Sequence, residues 1–152
     1  MAVPPAPELP GDALLEIFIH PASLPPNRPL DPGSKFSDGI RLKTLGKPMV
    51  ECAYHDVMQA QWPRSTPAEL TGLVNSTIGG FMQKAVHAYR WMDAVRGRPS
   101  NIDPESREIL APIGLTRYHQ EAERIFYTYA GAVHVEYGYG RLRAWIASLI
   151  HI

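Results

Sequence analysis

Nine of the fifteen prolines lie in the first 32 residues, and this placement most limits what the chain can fold into. Each proline fixes φ near −65° and removes an amide donor, so no long helix or central strand fits before residue 33. The region divides into a Pro-rich leader over residues 1–11, the short element "GDALLEIFIH", and a Pro-rich loop, "PASLPPNRPLDPGSKFSD". In the short element, Asp12 is the expected N-cap of an amphipathic helix whose apolar face is Leu14, Leu15, Phe18 and Ile19.

Beyond the loop the apolar spacing is helical. Leu42, Leu45, Met49, Ala53 and Val57 predict a helix from Gly39 to about Trp62, with a kink or late start near Gly46 to Pro48 because proline breaks one hydrogen bond there. The next start is the clearest in the chain: Thr66 at the N-cap, Pro67 at the first helical position and Glu69 completing a capping box. Its stripe runs from Leu70 through Val74, Phe81, Met82 and Val86 to Tyr89, closes at "RGRPSN", and marks the expected central helix. A short helix is expected at Asp103 and a break at "APIGL". A long helix follows from about Thr116 to Glu136, burying Ile125, Phe126, Tyr129 and Val133. "YGYG" turns the corner into a last helix carrying Leu142, Trp145, Ile146, Leu149 and Ile150. No stretch alternates as a strand does, so the expected class is all-α, with one folded domain over residues 12–150.

A domain of 152 residues buries roughly 70% of the surface its unfolded chain exposes, enough to fold without a disulfide or structural metal. The single cysteine, Cys52, points to a reducing compartment, cytoplasmic or nuclear, with the mitochondrial matrix as the alternative. The N-terminus has neither the basic and apolar regions of a signal peptide nor an Arg-rich amphipathic presequence, and no apolar run approaches membrane-spanning length. Formal net charge is zero, so any nucleic-acid affinity must reside in a local patch.

Metal and nucleophile motifs are sparse. Cys52 and His55, one helical turn apart, would supply half of a zinc site, but no second pair follows at ligand spacing, and no metal or other cofactor is expected. Gly79 and Gly80 within the third helix are read as a place of close helix packing.

Two segments carry more information. "IRLKTLGKPMV" from Ile40 resembles the first motif of the ribonuclease III family, E-R-L-E-F-L-G-D-A-V-L. "RIFYTYAGAVHVEYG" from Arg124 resembles the second, D-x-F-E-A-L-I-G-A-x-Y-L-D-x-G. "FIHPAS", "ELTGLVNSTIGGFMQKA" and "GRLRAWIASLI" resemble three further family segments, in the family's order, across about residues 12 to 150. The resemblance implies a ribonuclease III-like helical domain. No double-stranded-RNA-binding domain follows it in this sequence.

The resemblance also implies where the chemistry would sit. The family holds Mg²⁺ with carboxylates from the two motif helices, because that cation takes hard oxygen ligands in octahedral geometry. Those positions are here Ile40, Lys43, Lys47, Arg124 and Tyr127, none of them acidic. Replacing five carboxylates with two lysines, one arginine and two neutral residues moves the site by eight charge units, which implies that the chain is not an enzyme. Two readings of Lys43, Lys47 and Arg124 follow. They are solvated helix-face charges paired with Glu51, Glu121 or Glu123, or they grip the RNA phosphates that the family's site cuts.

Family members pair through the first-motif helices, which nominates Leu42, Thr44, Leu45 and Met49 for a homodimer or heterodimer interface, with Thr44 replacing the family's phenylalanine plug. The expected role is a non-catalytic module that binds double-stranded or structured RNA or acts as a scaffold in RNA metabolism. The alternatives are a structural protein of the mitochondrial large ribosomal subunit and a non-catalytic partner of an active ribonuclease III or Dicer-like enzyme.

Overall fold

The computed structural model describes residues 3–97 and 111–151. Among them the fold is all-α: α1 (Gly11–Phe18), α2 (Gly39–Gln61), α3 (Pro67–Ala88), α4 (Trp91–Ala94), α5 (Ala111–Tyr137) and α6 (Tyr139–Leu149), with a 3₁₀ turn at Pro21–Ser23. The short helix expected at Asp103 lies outside the described residues.

The central helix is α5, not α3: it packs against α1, α2, α3 and α6. Its inner face is fully buried at Ala122, Ile125, Phe126, Ala130, Ala132 and Val133. The reason lies in residue size. Alanines and Gly131 let neighbouring helices approach from several sides, whereas the broad stripe of α3 carries large side chains on one flank only. The helix also begins earlier than "APIGL" suggests, because Pro112 falls in the first turn, where no amide donor is needed.

The tightest contact joins α2 to α5. A Cβ on Gly46 would strike the Tyr127 carbonyl oxygen and lie 2.8 Å from the Gly131 amide. A Cβ on Gly131 would in turn strike the Leu42 carbonyl oxygen and lie 3.2 Å from the Leu42 Cα. The two backbones therefore touch without side chains between them. This, not Gly79-Gly80, is the glycine-mediated packing. A Cβ on Gly80 meets nothing within 4 Å, and one on Gly79 meets only the Glu123 carboxylate at 3.8 Å.

Pro48 does not delay α2, which runs unbroken from its Asp38 N-cap, where the carboxylate accepts from the Arg41 amide at 2.8 Å. Pro48 and Thr44 both face solvent, so the Thr44 carbonyl that proline leaves without its helical donor is not sealed in the core. The capping box of α3 forms as expected, with Thr66 N–H donating to Glu69 at 2.8 Å and Glu69 N–H donating back to Thr66 Oγ1 at 3.3 Å.

Two helix expectations need correction. Residues 67–95 are not one helix: α3 stops at Ala88 and Arg90 takes a left-handed φ of 56°. That reversal turns Trp91 inward, where it stacks on Tyr129 at 4.2 Å and on Tyr89 at 4.7 Å. In α1 the buried residues are Ala13 and Ile17, while Leu14 and Leu15 stay 36% and 60% exposed. Asp12 is not the N-cap; Pro10 is, and Asp12 instead accepts from Ser34 Oγ at 2.7 Å. Close approach to α5 selects the small Ala13 over the bulkier leucines. The leader is also not separate from the domain, since Pro7 is buried and Ala6 and Leu9 pack on the core.

Gly46→Ala and Gly131→Ala are each expected to destabilise the fold by about 3 kcal/mol or more, because a methyl group forced against backbone has no rotamer to escape into. Gly80→Ala should be neutral or stabilise by up to about 1 kcal/mol through helix propensity. Urea unfolding of the three variants beside the wild type checks the ranking.

Candidate functional site

The α2 and α5 crossing brings the two motif segments side by side, with residue 42 against 131 and residue 46 against 127. The five positions named from the sequence then divide by burial. On α2, Ile40 is 64% exposed and Lys43 and Lys47 are exposed. Lys43 and Lys47 are four residues apart and lie on one solvent-facing strip of the helix with Ile40 and Thr44. Among the described residues no ion pair engages either lysine.

The two positions on α5 are internal. Arg124 faces Glu121, three residues before it, and the two side chains are only 11% and 5% exposed. Its Nε donates to both Glu121 oxygens at 2.9 and 3.0 Å and its Nη2 to Oε1 at 2.6 Å. A further donor, Nη1, reaches the Ile17 carbonyl at 3.3 Å and so ties α5 to the end of α1. Arg124 is therefore not available to a phosphate in this arrangement. The geometry matches the ion-paired reading with Glu121, and Arg124 leaves the three-residue cationic set.

His20, from the "FIHPAS" segment, completes the cluster. Its Nδ1 accepts from the Ala22 amide at 3.1 Å, which requires the proton to sit on Nε2, and Nε2 points at Glu121 Oε2 from 3.4 Å. The neutral tautomer satisfies both contacts. Its backbone is fixed as well, by the His20 amide donating to the Arg96 carbonyl at 2.8 Å beside the bridge between Ile19 and Arg96. The sequence offers Glu121 as one of three acids that could pair with Arg124 and His20 within "FIHPAS", but not that the two meet.

Tyr127 lies in the same seam, 7% exposed. Burial first, then the negative charges of Glu123 and Glu51, pushes its hydroxyl from 10.0 up to about 12. The two α5 positions thus hold a neutral group and an internally neutralised one where the family resemblance implies metal ligands. Cys52 and His55 each have a neighbour of another kind. Tyr139 Oη approaches Cys52 Sγ at 3.4 Å, and His55 Nδ1 lies 2.7 Å from the Glu51 carbonyl. Among the described residues no group of three or more His, Cys, Asp or Glu is arranged to hold a metal ion.

The nominated interface also changes. Leu42 is 3% exposed and belongs to its own chain's core against Gly131, so it cannot face a partner. Leu45 and Met49 are half-buried, Met49 against the same core, and the exposed Thr44 hydroxyl donates to the Ile40 carbonyl at 2.8 Å within its own helix. Among the described residues no helix is long and apolar enough to cross a membrane.

No protein-family model matches the chain, and no curated protein matches it significantly.

Arg124→Ala leaves Glu121 buried and short of its main partner, and is expected to cost about 3 to 5 kcal/mol of stability. Differential scanning calorimetry of the variant checks this. In alkaline solution the sign for Tyr127 is also fixed. The unfolded tyrosine ionises near 10 while the folded one holds its proton to about 12, so stability falls as pH rises through that window. Tyr127→Phe should make the fall shallower by up to one proton, measured by urea midpoints between pH 9 and 12.

Proposed function

We propose that the chain is a catalytically inactive ribonuclease III-like domain that holds double-stranded or structured RNA by its phosphates along the Lys43 and Lys47 strip. One observation carries the reading. The two segments that resemble the family's motifs lie on adjacent helices that meet at Gly46 and Gly131. On the α2 segment this chain presents Ile40, Lys43 and Lys47 to solvent, and on the α5 segment it seals Arg124 and Tyr127 inside.

The physical argument is one of charge. A phosphate backbone meeting two exposed lysines one helical turn apart gains attraction without base readout, because ammonium groups pin backbone oxygens and displace condensed counterions. Hydrolysis needs the opposite field, a cluster of carboxylates that concentrates divalent cations. With zero formal net charge, RNA affinity must be modest and strongly dependent on salt.

The test is a titration of the purified protein into labelled double-stranded RNA with Mg²⁺ at several salt concentrations, with native and denaturing gels run in parallel. The expected outcome is salt-dependent binding and intact RNA. Lys43→Ala combined with Lys47→Ala should flatten the plot of log affinity against log salt by about two, one unit per lost phosphate contact. Cleaved RNA would overturn the inactive assignment. Absence of binding would overturn the RNA assignment in favour of a role directed only at proteins.

A further inference from the structure

Three tyrosine hydroxyls converge on the Pro-rich leader. Tyr89, at the C-terminal cap of α3, donates to the Pro4 carbonyl at 2.6 Å. From α5, Tyr129 donates to the Pro7 carbonyl at 2.7 Å and Tyr137 to the Glu8 carbonyl at 2.6 Å. Pro4 and Pro7 are three residues apart, which is one turn of a polyproline-II helix, so their carbonyls point to the same side. The prolines at 4, 5, 7 and 10 hold φ near the polyproline-II value and carry no amide, leaving carbonyl oxygens as the leader's main polar handles. A cleft of hydroxyl donors set among aromatic rings is the complement of such a segment.

The donors are themselves fixed. Trp145 Nε1–H donates to Tyr89 Oη at 3.1 Å, which turns the tyrosine's own proton toward Pro4. Trp91 stacks on both Tyr89 and Tyr129, and Trp145 lies 5.5 Å from Tyr129. The leader inserts in register: Pro7 is buried and Pro4, Ala6 and Leu9 are half-buried, while Val3, Pro5 and Glu8 face solvent. The pattern read is P-x-A-P-x-L. The hydrogen bonds go to main-chain carbonyls, and the inward side chains are small or apolar, so nothing in the contact requires that the bound segment belong to the same chain.

We propose that this cleft is a polyproline-II recognition groove, that the leader is its resident intramolecular ligand, and that a Pro-rich segment of another protein with the P-x-A-P-x-L pattern binds by displacing it. The inference is independent of the RNA reading, since it uses the opposite flank of α5 from the Arg124 seam and no charged group. Tethering gives the leader an effective concentration on the order of millimolar, so an external segment competes at a disadvantage until the leader is weakened or its own affinity is high.

The test uses the full chain and a fluorescently labelled peptide of residues 3–10, followed by anisotropy. A chain carrying Pro4→Gly and Pro7→Gly, whose leader no longer holds the polyproline-II form, should bind the peptide at least tenfold more tightly than the wild type. Adding Tyr89→Phe and Tyr129→Phe should reverse the gain, and a peptide with Pro4→Ala and Pro7→Ala should bind at least tenfold more weakly. Equal affinity for the wild-type and loosened chains, or indifference to the tyrosine changes, would overturn the proposal.

A second measurement on the wild type covers the case in which the glycine variant does not fold. A millimolar peptide of residues 3–10 carrying Glu8→Gln, which the protease does not cut, should accelerate cleavage of the chain after Glu8 by a glutamate-specific protease, because the displaced leader becomes accessible, and no acceleration would again overturn it. A concentration-dependent dimer that the peptide dissociates would assign the groove to a second copy's leader and overturn the assignment to a separate partner.

Discussion

Two glycines in backbone contact, Gly46 on α2 and Gly131 on α5, set the distance on which the rest of the domain depends. With no Cβ on either side, the helices approach closely enough for the Leu42 and Tyr127 carbonyls to lie against the opposing glycines. The approach draws Leu42, Val50 and Ala53 into one layer with Ile125, Phe126 and Ala130, a layer without space for an intervening side chain. The surrounding helices are then placed by their own links to these two. Tyr54 Oη donates to Thr77 Oγ1 at 2.9 Å and joins α2 to α3, while Tyr139 Oη donates to Asp56 at 2.8 Å and joins α6 to α2.

The same approach decides the fate of the charged positions near the seam. A side chain of α5 that points along the crossing enters a nearly dry environment, so a cation there must bring its own counterion. Arg124 does so with Glu121, and the pair is supported from α1 by the Ile17 carbonyl and from the following turn by His20. Lys43 and Lys47 lie on the opposite, outward side of α2 and need no such partner. One sequence pattern of three cations therefore becomes two unlike structures, an internal ion pair and a solvated strip, and only the strip has charge to offer a ligand.

The aromatic cluster plays a corresponding role at the other side of the core. The left-handed turn at Arg90 brings Trp91 between Tyr89 and Tyr129, and Trp145 closes the group from α6. Rings of this size leave their polar tips at the edge of the core, where each hydroxyl needs an acceptor. The leader's carbonyls supply the acceptors, which is why a segment rich in proline, with few donors of its own, is ordered rather than loose.

Much of the fold was legible from local chemistry. The capping box at Thr66, the long helical spacings and the Gly138 corner, where φ is 81°, each follow from interactions within a few residues, and these the sequence determines by itself. What the chain alone did not disclose is which face each residue presents. Gly46 and Gly131 are 85 residues apart in sequence, yet they meet, whereas the adjacent pair Gly79-Gly80, the more conspicuous signal, meets almost nothing. Leu42 reads as interface and is core; Leu14 and Leu15 read as core and are exposed; of the two readings open to Arg124, the ion pair with Glu121 is the one found. Helical periodicity fixes the angles between side chains on one helix, but the direction of the core is set by the other helices. Tertiary structure alone decided it, because burial is a property of what stands opposite.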